Sequence, residues 1–402
     1  MSPCLPPFFI KRESMNIPSK FDDIRPFEPQ ELPAVYERLL ADPQFLSVLA
    51  YLYPQVPVEA IAQKMKACNT NMDFQLAFCY DFLKNLMAKA STGFDMDVSG
   101  IDVEKRYTFV SNHRDIVLDS ALLDVLLVEA GFKTTCEIAI GDNLLSLPWV
   151  KDLVRVNKSF IVERSLPPRQ MLMASKRLAE YMHFVISEKN DNVWIAQREG
   201  RAKDSNDRTQ SAILKMMAMA SAESQPTDSP VERLRQLHIV PLAISYEFDP
   251  CDFLKAREFQ LKRDIEGWKK SKHDDVVSMQ TGIMGYKGEV HYHCAPCIDD
   301  FLCQLPADLP KTEVFDVIAA HIDEEIHRNY RLYPGNYVAL DMLSDTNAFA
   351  GHYTPEQKQQ FVQYIESQLA KITDVPDKDE AYLRECMLTM YANPAVNYLS
   401  AK

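Results

Sequence analysis

The chain has 402 residues, 47% of them hydrophobic and 25% charged, which is typical of a soluble globular protein with one large or two moderate domains. Its net charge of −13 argues against a nucleic-acid-binding protein. No apolar run approaches the roughly eighteen residues of a membrane-spanning helix. Nine cysteines, an odd number, in a chain without a convincing signal peptide favour reduced thiols in the cytoplasm.

The N-terminal part of the sequence is predicted to be helical. Residues 1–14 are short, apolar and broken by prolines, so they are interpreted as a possible extension. Within an N-terminal helical region at 15–100, apolar residues recur at helical spacing through 31–91 and indicate a bundle or hairpin. Core packing is the commoner explanation for its aromatic residues, and membrane docking is the alternative.

Strands and helices alternate from about residue 104 to 247. The predicted strands are 107–111, 136–140, 160–163, 192–196 and 238–246, and the predicted helices are 117–131, 169–189 and 209–222. This alternation predicts an α/β fold with a mixed, largely parallel sheet flanked by helices, spanning 101–300. The region 101–300 also holds a predicted helical segment at 249–282 and a predicted strand at 288–296. Residues 301–402 are predicted to be mostly helical.

Charge is distributed unevenly along the chain. Between Lys151 and Lys215 there are 13 basic and 8 acidic side chains, a net charge of +5. A basic segment inside an acidic protein suggests an anionic ligand. An exposed helix face accounts for Lys176, Arg177 and Lys189 without any ligand.

The strongest indication of chemistry is the segment from Val110 to Asp119, at a predicted strand-to-helix junction. It places His113 two residues before Asp115 and six before Asp119. A carboxylate can fix the tautomer of an imidazole and stabilise its protonated form, which makes a competent general base. Helix capping or a core hydrogen bond explains such a histidine equally well. A protein-kinase interpretation fails, because the required asparagine, D-F-G and glycine-rich loop are missing.

Three further segments carry polar or unusual residues on predicted strands. The strand from Lys158 ends in Arg164, whose planar guanidinium suits phosphate or carboxylate, although a surface salt bridge is the commoner role. The strand from Val193 delivers a Glu-Gly-Arg cluster to its carboxyl end, where ligands of parallel sheets gather. The strand Ile239–Leu242 contains a proline and is by itself more plausibly structural.

In order and spacing, these four segments resemble the four motif blocks of the glycerolipid acyltransferase superfamily, which includes glycerol-3-phosphate and lysophosphatidic acid acyltransferases. The resemblance covers about residues 105–250 and implies an acyltransferase domain within 101–300. It implies an O-acyltransferase in which an activated acceptor hydroxyl attacks an acyl thioester of coenzyme A or acyl carrier protein. The thioester is a cosubstrate, and the resemblance implies no other cofactor and no metal.

The resemblance also implies roles for individual residues. His113 would be the general base, partnered by Asp119 or else by Asp115. The acceptor or its phosphate would be bound by Arg164, Glu199, Gly200, Arg201 and Lys203, and the acyl or thioester path would include Phe160, Val240 and Pro241. Two blocks depart from the family pattern: His113-x5-Asp119 is one residue longer than His-x4-Asp, and Glu199-Gly200-Arg201 is one shorter than Glu-Gly-x-Arg.

The implied partners are an acyl thioester and a lipid or polar-lipid acceptor. Amphiphilic substrates predict peripheral membrane contact at the inner face of the cell membrane, through the N-terminal helices and the basic segment. The alternatives are a non-catalytic lipid- or acyl-binding member of the fold, or a thioesterase, for which no G-x-S-x-G serine elbow is present.

A cluster near the end of the predicted α/β region raises the question of a metal or redox site. It consists of His291, His293, Cys294, Cys297 and Cys303. Since a second Cys-x-x-Cys is missing, buried or surface thiols are the favoured interpretation.

Overall fold

The computed structural model describes residues 17–164 and 166–402, so the predicted extension at 1–14 lies outside the described residues. Its strands are β1 Gly93–Asp97, β2 Thr108–Ser111, β3 Cys136–Gly141, β4 Ser159–Val162, β5 Asn192–Ala196, β6 Ile239–Tyr246 and β7 Glu289–Cys294. In the described chain these strands form one sheet in the order β1-β7-β6-β2-β5-β3-β4.

The sheet is mixed and mostly parallel, as predicted. Strands β2 to β6 pair in parallel, β7 is antiparallel to β6, and β1 is parallel to β7. The carboxyl ends of β2 to β6 therefore share an edge of the sheet with the amino ends of β1 and β7. The edge strand β1 was not predicted, because its five residues are only partly buried and carry two aspartates.

The N-terminal region is a helical bundle, as predicted. Its helices are α1 Leu32–Ala41, α2 Pro43–Leu52, α3 Val58–Lys66, α4 Asn71–Phe74 and α5 Asp81–Ala90, with a π-helix at Gln75–Tyr80. Helices that connect the strands are α6 Leu118–Glu129, α7 Pro148–Val156, α8 Pro168–Ser187, α9 Ser211–Met217 and α10 Pro230–Arg235. Helix α9 ends earlier than the predicted 209–222.

Helix α7 is not predicted from the sequence, in which this segment is recognisable only as a basic stretch. It begins at a proline, and Trp149, Leu153 and Val156 pack against the apolar cluster of α1 to α3. This contact joins the N-terminal bundle to the sheet region. In the part of the chain that the structure describes, every helix is too short or too polar to cross a lipid bilayer.

Helices cover both faces of the sheet. Apolar residues of α8, α9 and α14 (Val314–Arg328) pack on one face, and those of α5 and α6 on the other. Because both faces are covered, the central strands are continuous buried runs rather than alternating patterns.

The remaining helices follow β6. They are α11 Asp252–Asp264, α12 Lys272–Met284, α13 Asp299–Cys303, α15 Pro334–Ser344, α16 Pro355–Ala370 and α17 Glu380–Ser400. The predicted helical stretch 249–282 is thus two helices, separated by a turn at Gly267 with φ +72°. Helices α15 to α17 share an apolar cluster with α11, where the buried Asp252 carboxylate accepts hydrogen bonds from Tyr364 and Tyr391, each at 2.8 Å. The C-terminal helices therefore dock on the segment that follows β6.

Candidate active site

His113 lies just beyond the carboxyl end of β2, the strand between β5 and β6. The preceding residue, Asn112, is fully buried, and its amide fixes this position. Its side chain donates to the Ile244 carbonyl at 2.9 Å and accepts from the Ile244 N–H at 2.8 Å. This two-point contact ties the end of β2 to β6, so the backbone that carries His113 is held by the sheet.

The His113 ring contacts the carboxylate of Asp119, which is fully buried in the first turn of α6. The Nδ1 to Oδ2 distance is 2.8 Å. The same Oδ2 accepts hydrogen bonds from the backbone N–H groups of Arg114 at 2.6 Å and Asp115 at 3.0 Å. A carboxylate held in this way fixes the imidazole tautomer with the proton on Nδ1, so that Nε2 is free to accept a proton.

Asp115 serves the helix rather than the imidazole. Its Oδ1 accepts hydrogen bonds from the N–H groups of Val117 and Leu118, both at 2.8 Å, and so caps the start of α6. Burial, and then the neighbouring Asp119, raise the pKa of the Asp115 carboxyl above its usual range. Of the two carboxylates that the sequence left open, the structure brings Asp119 to His113.

The Trp194 side chain of β5 completes the surroundings of the imidazole. The two rings meet edge to face with their centroids 5.7 Å apart, and the indole Nε1 donates to Ser111 Oγ at 3.0 Å. The His113 side chain itself keeps 14% of its surface exposed. The ring is therefore positioned by its neighbours and is still accessible from solvent.

Arg164, Glu199 and Gly200 come together at the same edge of the sheet. Arg164 follows β4, and its guanidinium lies 3.7 Å from the Glu199 carboxylate after β5. Gly141, the last residue of β3, leaves room for the Arg164 side chain, since a Cβ there would lie 2.8 Å from its Nε. Gly200 has φ +67°, a left-handed conformation that suits glycine.

Arg201 and Lys203 occupy a different place. Both line an open, shallow cleft between the loop after β5 and helices α11 and α12. Lys203 is paired with Glu258, and burial lowers its pKa. Arg201 Nη1 is buried and has no hydrogen-bond partner among the described residues. Arg164 is not among the residues that line this cleft, so the predicted acceptor-binding cations are split between two locations.

The three residues predicted along the acyl path are packed in the core. Phe160 and Val240 are fully buried, and the Phe160 ring lies 5.4 Å from that of Tyr181. Pro241 is buried in β6 and pairs with Val110 of β2. All three belong to the packed sheet in this structure, and their part in the acyl path stays a prediction.

A buried ion pair that the sequence does not predict lies beside the imidazole. Arg114 Nη2 lies 2.6 Å from Asp207 Oδ2, which also accepts a hydrogen bond from the Tyr330 hydroxyl at 2.5 Å. Burial disfavours the charged form of Arg114, but Asp207 outweighs this effect and raises its pKa. Asp207 lies in the loop after β5, and only the fold brings it to Arg114.

The cysteine and histidine cluster is dispersed along β7 and the segment that follows it, up to Cys303 at the end of α13. His291 and His293 of β7 face aspartates of β1, Asp95 at 2.7 Å and Asp97 at 3.6 Å. Cys294 is buried in the core. Cys297 lies with His238 and Asp299, where one potential ligand atom of each falls within 4.8 Å of the others.

Comparison with known proteins finds one family model that spans the four motifs. Residues 95–245 match the family model described as Acyltransferase. Among solved structures, the crystal structure of the 1-acyl-sn-glycerophosphate (LPA) acyltransferase PlsC from Thermotoga maritima is similar to this chain at 11% identity. That match covers 75% of this chain and 97% of the PlsC chain, with a TM-score of 0.33. The comparison with curated proteins finds no match.

The matched segment begins in β1, ends in β6 and contains His113, Asp119, Arg164 and the Glu-Gly-Arg cluster. Residues 95–245 of this chain therefore match an acyltransferase domain.

Proposed function

We propose that this protein transfers a fatty acyl group from a thioester of coenzyme A or acyl carrier protein to an acceptor hydroxyl of the glycerol-phosphate or lysolipid type, with His113 as general base. The observation that carries the proposal is the 2.8 Å contact between His113 Nδ1 and Asp119 within the acyltransferase domain. A buried carboxylate on Nδ1 leaves Nε2 as the basic nitrogen, which is what hydroxyl activation needs.

The proposed reaction is direct transfer without an acyl-enzyme. His113 Nε2 takes the proton of the acceptor hydroxyl while the hydroxyl oxygen bonds to the thioester carbonyl carbon. Asp119 stabilises the imidazolium that forms. The tetrahedral intermediate then loses its carbon–sulfur bond, and the imidazolium returns the proton to the departing thiolate. Backbone N–H groups of the loops beside His113 are the candidates for stabilising the oxyanion.

The acceptor's anionic headgroup would lie at the carboxyl edge of the sheet. The resemblance implies that Arg164, Arg201 and Lys203 bind this headgroup. Lys203 and Arg164 already face carboxylates, whereas Arg201 has an unpaired Nη1 among the described residues. Of these three cations, Arg201 is therefore the one best prepared to bind an anion.

We also propose that the protein works at the cytoplasmic face of the cell membrane. Exposed apolar side chains support this: Tyr51 and Val56 in the N-terminal bundle, and Leu172 and Met173 near the start of α8. In the described chain, the exposed Lys151 and Arg169 near the starts of α7 and α8 have no acidic partner. Exposed apolar side chains together with unpaired cations suit a surface of anionic lipids.

The test measures thiol release from a palmitoyl thioester together with mass spectrometry of products from a mixed pool of lysolipids and glycerol phosphate. Wild type should yield an acylated acceptor, and His113→Ala should lose about 10²- to 10⁴-fold in rate. His238→Ala is the matched control. His238 directly precedes β6, away from the edge that carries His113, and its ring lies 2.6 Å from the Asp299 carboxylate.

Other outcomes of the same assay identify the alternatives. Free fatty acid as the only product would indicate a thioesterase. Absence of turnover with every donor would indicate a lipid- or acyl-binding member of the fold. Full activity of His113→Ala would contradict the proposed general base.

A further inference from the structure

Three side chains that can bind a metal ion meet at the edge of the sheet opposite to His113. They are His238, directly before β6, and Cys297 and Asp299, which follow β7. One ligand atom of each lies within 4.8 Å of the others, and no other group of this kind occurs among the residues that the structure describes. His238 and Asp299 are 61 positions apart in the sequence, so only the fold brings them together.

The backbone that carries these three residues is held by hydrogen bonds of the sheet. The Ile298 N–H, between Cys297 and Asp299, donates to the Ile239 carbonyl at 2.9 Å. The His238 carbonyl accepts from the Thr108 N–H, at the start of β2, at 3.2 Å. The segment after β7 is therefore fastened to the start of β6, and the three side chains are brought together before any ligand binds.

Neighbouring apolar residues hold the same two segments from the core side. Leu237 directly precedes His238, Ile298 separates Cys297 from Asp299, and both apolar side chains are buried in one cluster. His238 itself has φ +48°, a left-handed conformation that is strained for a residue with a Cβ. The chain thus places an imidazole at a turn where glycine would cost less, and its ring faces Asp299.

The three side chains already contact one another. His238 Nδ1 lies 2.6 Å from Asp299 Oδ2, and the Cys297 thiol interacts with both the carboxylate and the backbone N–H of Asp299. The side chains of His238 and Asp299 are 49% and 28% exposed, so an ion can reach them from solvent. A metal ion can replace the protons that these contacts share.

The donor atoms are one nitrogen, one sulfur and one oxygen, and this set selects the kind of metal. Magnesium and calcium bind oxygen almost exclusively, whereas zinc accepts imidazole, thiolate and carboxylate. Tetrahedral zinc places its ligand atoms roughly 3–4 Å apart. Atoms that already lie within 4.8 Å of one another reach that spacing through small movements of the side chains.

We propose that His238, Cys297 and Asp299 bind a zinc ion, with a solvent molecule as the fourth ligand. Binding releases the thiol proton of Cys297 to solvent, and the thiolate and carboxylate together balance the two charges of the ion. The zinc joins the start of β6 to the segment between β7 and α13, so it stabilises the fold. It lies away from His113 and takes no part in acyl transfer, and the inference does not depend on the proposed function.

Metal binding by the full chain tests the site. The protein is stripped with EDTA, dialysed and titrated with Zn²⁺ against a chromophoric chelator, and bound zinc is counted by mass spectrometry. We expect one zinc per chain and a higher melting temperature with zinc than without it. Cys297→Ser and His238→Ala should each weaken zinc binding by about 100-fold or more, because loss of an outer-shell partner alone costs about 10- to 100-fold.

Cobalt(II) in place of zinc reports the ligands of wild type directly. A tetrahedral site with a thiolate ligand should give visible absorption and a thiolate-to-cobalt charge-transfer band. This measurement tests ligation by Cys297 even where a variant fails to fold, and melting of the metal-free proteins checks the folding of each variant.

Two matched controls separate the site from adventitious binding. Cys303→Ser removes an exposed thiol of α13 that lies 3.1 Å from the Arg235 guanidinium. His291→Ala removes the histidine of another histidine–aspartate pair, at 2.7 Å from Asp95. Both variants should bind zinc as wild type does.

Four results would overturn the proposal. One is less than one zinc per chain at saturation, and another is a cobalt spectrum without the thiolate band. Binding that is unchanged in both Cys297→Ser and His238→Ala would place the ion elsewhere. Equal losses in Cys303→Ser and Cys297→Ser would indicate chelation by surface thiols.

Discussion

Gly282 of α12 leaves the space that the Asp115 carboxylate occupies. A methyl group on Gly282 would fall well inside van der Waals distance of Asp115 Oδ2. Asp115 in turn caps α6, the helix that carries Asp119. A helix outside the matched family segment therefore sets the position of a carboxylate inside the motif.

Gly282→Ala tests this packing. The added methyl must displace Asp115, and because Asp115 N–H also binds Asp119, we expect kcat to fall by about tenfold or more and stability to fall by about 1–3 kcal/mol. Steady-state kinetics and urea unfolding measure the two effects. Gly351→Ala is the control, since a Cβ there meets no atom within 4 Å. Equal behaviour of the two variants would contradict the prediction.

Substitutions of the two aspartates of the first motif should differ in their effects on activity and on stability. Asp119→Asn removes the charge that stabilises the imidazolium, so we expect kcat to fall about 10²- to 10⁴-fold. Asp115→Ala removes a helix cap, which costs about 1 kcal/mol of stability. Kinetics and urea unfolding of both variants are the measurements. A larger loss of activity in Asp115→Ala than in Asp119→Asn would reverse the assignment.

Lys287 should make stability rise with pH under mildly alkaline conditions. Burial lowers its pKa to about 8, below that of a lysine in the unfolded chain. Between these two values the unfolded state binds more protons, so wild type gains up to about 1.4 kcal/mol per pH unit from this group. Lys287→Met should lose this gain in urea unfolding at pH 7.5 and 9.5.

The control for Lys287 is the exposed Lys272, whose change to Met should leave the pH dependence of wild type intact. If Lys287→Met and wild type gained the same stability between the two pH values, Lys287 would have an ordinary pKa in the folded protein.

Membrane contact should depend on the start of α8. The double change Leu172→Glu and Met173→Glu replaces two exposed apolar side chains by carboxylates, so we expect about tenfold or greater loss of binding to phosphatidylglycerol vesicles. Co-sedimentation measures it, with phosphatidylcholine vesicles for comparison. The matched control is Leu343→Glu with Leu399→Glu, two exposed leucines of the C-terminal helices. Equal loss in both pairs would contradict a specific surface.

Local pattern was enough to predict the central strands and the motif positions. Continuous apolar runs such as Val193–Ile195 predict buried strands because both faces are covered. Edge strand β1 lacks that signal. The choice between Asp115 and Asp119 depends on how one turn folds, and the contact of Arg114 with Asp207 joins residues 93 positions apart. Such long-range pairs leave no local trace in a single sequence.

The reversed direction of β7 has a consequence for how such a protein could diversify. The chain leaves the sheet at the end of β6 and returns at the start of β7 on the same edge. The excursion, which is the segment between these strands with helices α11 and α12, therefore begins and ends at the edge that carries His113. It lies beyond residues 95–245 and lines the Arg201 cleft. Such an excursion can be lengthened, shortened or replaced between its two anchor strands while β2 to β6 keep their register. Under the proposed function, acceptor preference could therefore change while the His113–Asp119 pair keeps its position.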